Sequence, residues 1–82
     1  MDRSIEWITV STGVPGKHRT LTTVAALGEF LLEKCPQAIP AHKACLDALE
    51  GRIEPDEARA VFAEAVVEEG FYIMPHGRTP RA

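Results

Sequence analysis

Two periodicities divide the chain. Over residues 4 to 10, SIEWITV, β-branched and aromatic residues alternate between two faces, which predicts a strand. Residues 18 to 23, HRTLTT, predict a second. Between them Gly13, Pro15 and Gly16 favour turns, so the pair reads as a β-hairpin with a loose loop. From Val24 the spacing becomes helical. Val24, Leu27, Leu31 and Cys35 recur on one stripe, which Phe30 widens. Thr22 or Thr23 can cap this helix and Pro36 ends it. Gly28 weakens it unless close packing requires a glycine there.

A second helix runs from about Pro40 to Glu50. Ala41, Ala44, Cys45, Ala48 and Leu49 form its inward stripe, and Gly51 stops it. The third has the clearest signal. Pro55 takes the first helical position, with Asp56 and Glu57 beside the positive end of the dipole. Ala58, Val61, Phe62, Ala65 and Val66 share a face, and Gly70 closes the helix. FYIM, residues 71 to 74, reads as a third strand.

The order β-β-α-α-α-β specifies an α+β fold. A small three-stranded antiparallel sheet of order 2-1-3 should carry all three helices on one face. Residues 1–75 make one domain and residues 76–82 a disordered tail. Strand alternation turns Ile8, Val10, Leu21 and Ile73 towards the helices. It leaves Ile5 and Trp7 on the uncovered face, as the expected centre of a homodimer or partner interface.

Bulk properties narrow the function. The chain has 82 residues, 45% of them hydrophobic, enough for one modest core without staples. Two cysteines are too few for a disulfide framework and suit a reducing compartment. No apolar run approaches the roughly 18 residues of a membrane span, and the start has no signal-peptide pattern. A cytoplasmic location is expected. The net charge of −3 disfavours a nucleic-acid partner. Acidic residues crowd positions 44 to 70, where a solvated helix face accounts for them. Basic residues gather at Lys17, His18 and Arg19, a candidate anion contact, and at Arg78 and Arg81.

STGVPGKHRT, residues 11 to 20, has the letters of a phosphate loop without its spacing. Only Val14 and Pro15 separate Gly13 from Gly16, and His18 stands where Ser or Thr should follow the lysine. A strand follows in place of a helix, and Pro15 removes an amide donor. The stretch is a hairpin loop. Cys35, His42 and Cys45 are residue types that zinc prefers, with His18 or His76 as a fourth. They lack a close Cys-x-x-Cys pair, and both cysteines fall on inward stripes, so core thiols are expected and no metal or cofactor. The same burial argues against an activated Cys–His nucleophile. Glu64, Glu68 and Glu69 lie on the polar face of the third helix, where nothing shifts a carboxylate towards acid–base work. Arg59 reads as structural, pairing with Glu57 or Glu64 or reaching the sheet.

With the elements placed, ACLDALEGRIEPDEARAVFAEAVVEEGF resembles the C-terminal half of the small bacterial proteins catalogued as domain of unknown function 982. ITV, RTLTT and AALGEFLLEKCP are similar to that family's hairpin and first helix, so the resemblance covers roughly residues 5 to 74. Its most telling part is Leu49–Glu50–Gly51 followed by Pro55, Glu57, Ala58, Arg59 and Phe62. In that family a tryptophan often precedes the proline that ends the first helix; here Cys35 takes its place. The resemblance implies the fold and brings no activity or site residue with it. The leading expectation is a non-enzymatic protein-interaction module, a homodimer or an accessory subunit. The alternative is a small regulator touching nucleic acid through the hairpin loop and basic tail.

Overall fold

The computed structural model describes residues 3–11 and 18–74. The 12–17 segment of the hairpin loop and the tail expected to be disordered lie outside these residues. Six elements follow one another: β1 (Ser4–Ser11), β2 (His18–Thr23), α1 (Val24–Lys34), α2 (Ile39–Leu49), α3 (Pro55–Glu68) and β3 (Tyr72–Met74). The sheet is antiparallel with order β2-β1-β3, as the sequence predicts. Ile8 pairs with Leu21, and Val10 pairs with both Arg19 and Ile73. Ile8, Val10 and Leu21 are buried against the helices and Ile73 packs at the margin.

The helix boundaries follow from local chemistry. Thr23 Oγ1 accepts the Ala26 amide at 3.1 Å, capping α1. Pro36 confines α1 to residues before it, and Cys35 becomes its C-cap. Helix α2 starts at Ile39, one residue before its proline, which sits in the first turn. Gly51 follows α2 with φ of 83°, a left-handed turn that a side chain resists. Pro55 opens α3, and the Glu54 amide donates to Glu57 Oε1 at 3.2 Å.

Helices α1 and α3 cover one face of the sheet, and α2 packs on those two. Phe30 and Phe62 are fully buried, with ring centroids 5.6 Å apart and planes at 72°, the edge-to-face arrangement that aromatic quadrupoles favour. Phe71 meets Phe30 in the same way at 5.5 Å. Cys35 and Cys45 lie inside this core as free thiols.

Strand β1 departs from regular alternation. Ser4 pairs with Thr23 and Ile8 with Leu21, so four steps along β1 match two along β2. The register shift re-aims the residues before Ile8. Ile5, expected beside Trp7 on the uncovered face, is half-buried and packs against the core. Trp7 stays outside, 46% exposed. The expected Ile5–Trp7 patch is therefore split between two environments.

Candidate functional site

The residues singled out by sequence are not gathered in one place. Lys17 lies outside the described residues. His18 and Arg19 are neighbours on β2, so their side chains leave opposite faces. Arg19 turns to the helix side, where Nη1 meets Glu33 Oε1 at 2.8 Å and the guanidinium lies 5.5 Å from the Phe30 ring centroid. His18 and Arg19 are thus on opposite faces, and the arginine already has an anionic partner.

Arg59 reaches the sheet. Its Nε donates to the Glu6 carbonyl at 2.8 Å and Nη2 to the Trp7 carbonyl at 3.4 Å. Consecutive carbonyls of a regular strand point opposite ways, so one guanidinium reaches both only because β1 is irregular here.

His42 Nε2 donates to the Cys35 carbonyl at 3.1 Å, joining α2 to the end of α1. Burial pushes the Cys45 thiol up from its ordinary 9.0 to about 11. Burial and then the Glu69 charge also raise Cys35. Both thiols are held in the form that neither attacks nor ligates. Among the described residues, no group of three His, Cys, Asp or Glu side chains comes together that could hold a metal ion. Asp47 is drawn below the usual carboxylate range, first by the hydrogen bond from Lys43 and also by the one from Arg52.

Three hollows compare instructively. Between the start of α2 and the end of α3 is a cleft of mixed polarity, about 340 Å³, rimmed by Glu64, Glu68 and Glu69. A wider hollow, about 540 Å³, separates Arg3 from the start of α3. The third, about 360 Å³, runs between α1 and α2 and is overwhelmingly apolar. Its α1 wall is Ala25, Gly28, Glu29 and Leu32; its α2 wall is His42, Cys45, Leu46 and Leu49. Each wall repeats the i, i+3, i+4, i+7 spacing of one helix face. Leu32 is 69% exposed and Leu46 58% exposed on its rims. Ile39, two turns before Leu46 on the same stripe, is 65% exposed and lengthens the face. A Cβ built on Gly28 would meet nothing within 4 Å, so this glycine leaves a notch instead of serving a close contact.

The outer sheet face is a weaker candidate. Trp7 and Tyr72 are exposed there, yet Tyr72 sits opposite Ser11, four residues along β1 from Trp7 and so about 13 Å away. Thr9 and Thr20 also lie on this face, their hydroxyls 2.9 Å apart.

The α1/α2 groove went unread in the sequence although its signal was present. Leu32, Ile39 and Leu46 are apolar residues off the inward stripes. No helix among the described residues is long and apolar enough to cross a membrane.

No curated protein and no solved structure matches the chain. One family does, described as "Protein of unknown function (DUF982)", over residues 9–73. That match spans all three helices, both hairpin strands from Thr9 onward, and most of β3. The chain belongs to the DUF982 family.

Proposed function

We propose that this chain is a small non-enzymatic protein-interaction module whose binding face is the α1/α2 groove. One observation carries the reading: two large apolar side chains, Leu32 and Leu46, stand more than half exposed on the two walls of a single apolar furrow, and Ile39 is exposed two turns before Leu46 on the same helix. Monomeric proteins rarely present such a contiguous patch without a use for it. Two parallel seams of i, i+3, i+4, i+7 residues are the shape into which an amphipathic helix docks. The displaced titrations agree with a binding role. Cys35, Cys45 and Asp47 all move away from neutrality, opposite to what a general acid, base or nucleophile needs. The free thiols fit a reducing compartment such as the cytoplasm. The nucleic-acid alternative finds less support, because Arg19 is engaged with Glu33 and faces away from His18.

Affinity capture from cells of the organism that encodes the chain tests this reading. Wild type should retain a protein, a copy of itself or another, that Leu32→Glu loses while keeping a native circular dichroism spectrum. Capture of nothing, or of the same set by both, overturns it.

A further inference from the structure

We propose that the α1/α2 groove is closed by the same groove of a second copy of this chain, in a twofold dimer that lays α1 of each protomer against α2 of its partner. The proposal rests on the reading of that groove as the binding face and names what fills it. Four residues, 35–38, connect α1 to α2, so the two helices are antiparallel neighbours. Residues of equal height then face each other across the furrow: Gly28 lies level with Cys45 and Leu46, Leu32 with His42, and Ala25 with Leu49. A twofold axis along the furrow keeps heights and exchanges the walls. What α1 offers at each level must therefore fit what α2 offers there.

It does so in shape and in charge. Gly28 presents an open notch at the level where Leu46 projects, more than half exposed, from the other wall. Each protomer thus carries both the knob and the hole. Glu29 follows the notch on α1 and has no ion pair among the described residues, whereas Glu33 beside it is held by Arg19. Lys43 precedes Leu46 by one turn on α2, extended along its helix to Asp47 at 2.8 Å and still largely exposed. The exchange of walls brings Glu29 of each copy to Lys43 of its partner. A twofold axis across the furrow would instead stack α1 on α1 and set the acidic Glu29 walls against each other, a like-charge contact that costs energy. Charge therefore selects the axis along the furrow.

Size sets the strength. Each helix has 11 residues, about 16 Å of length, so the covered face is at the small end of specific interfaces. Association in the micromolar range is expected, not a permanent dimer.

Sedimentation of the full chain from micromolar to millimolar concentration tests the proposal. Wild type should self-associate, and Leu46→Glu or Glu29→Lys should each weaken association by at least about tenfold. The double variant Glu29→Lys/Lys43→Glu should recover most of that loss, which a general surface effect would not. All three side chains are exposed, and circular dichroism melting confirms the fold of each variant. A wild type that stays monomeric throughout overturns the second copy, as does a dimer lost in Trp7→Arg and retained in Leu46→Glu. A helix of a different protein in the groove would give the first of those results while partner capture still depends on Leu32, so the binding-face reading stands or falls separately.

Discussion

Arg59 on α3 donates through Nε to the Glu6 carbonyl of β1 at 2.8 Å, a bond between residues 53 apart in sequence. The Arg59 guanidinium meets two successive backbone oxygens at the register shift of β1, and it joins α3 to the central strand. Hydrogen bonds from charged donors contribute about 1.5–3 kcal/mol, and partial exposure here argues for the lower part of that range. Arg59→Ala is expected to lower the urea midpoint accordingly. Arg59→Lys should recover only part of the loss, because a single ammonium lacks the forked donors. An unchanged midpoint in the alanine variant would show that β1 holds its shape without this contact.

Phe62 is fully buried and meets Phe30 edge to face. Truncation to alanine removes both the apolar burial and this ring contact, at a cost of about 3–5 kcal/mol. That is a large share of the roughly 5–15 kcal/mol typical of a domain. Chemical denaturation measures it, and a loss below about 1 kcal/mol would contradict the packing around this ring.

Stability should fall at both ends of the pH scale. The Cys45 thiol titrates near 11 in the fold and near 9.0 when unfolded. Below 9.0 both states are protonated and the fold keeps its full stability. Between 9.0 and about 11 only the unfolded chain ionises, so it binds fewer protons and stability declines. Cys35 shifts the same way and adds to the decline. Asp47 works in reverse: its carboxylate is favoured in the fold, and that contribution is present above the ordinary carboxylate range and lost as acid protonates it. Denaturation midpoints across the pH range check both arms, and Cys45→Ala should flatten the alkaline one. Thiol reagents should label both cysteines slowly until denaturant is added.

Two glycines should respond with opposite sign. Gly51 has φ of 83°, a conformation that a side chain resists, so Gly51→Ala should destabilise by about 1 kcal/mol. Gly28 lies inside α1 with open space around it, so Gly28→Ala should stabilise by up to about 1 kcal/mol. Thermal melts of the two variants on one instrument decide the comparison.

The order of elements, the helix stops and most of the core were legible because each is written locally. Pro36, Gly51, Pro55 and Gly70 punctuate the chain, and Val24, Leu27, Phe30 and Leu31 mark a stripe that is wholly buried. The inward orientation of Ile8, Val10 and Leu21 was likewise readable from alternation. The register shift before Ile8 was not, since SIEWITV fits an unbroken strand and the residue that bonds its carbonyls, Arg59, is remote in sequence. Ile5 was misplaced for that reason. His18 and Arg19 differ in another way, because adjacency in a strand sends neighbouring side chains to opposite faces instead of gathering them. The groove needed one fact that no single-helix pattern contains, namely that α1 and α2 turn their off-stripe leucines to the same side.

The central position of β1 has a consequence for how the chain is made. On one side β1 pairs with β2, which follows it closely; on the other it pairs with β3, so Val10 must wait for Ile73. A growing chain leaving the ribosome therefore completes its hairpin early and its sheet last. Until β3 emerges, one edge of the middle strand is open, and such edges recruit other strands. Closing that ladder spans nearly the whole sequence, the kind of distant pairing that slows folding. Messages truncated before codon 72 should yield chains that keep the helical pattern yet aggregate, since the three residues of β3 seal the edge that the rest of the fold leaves for them.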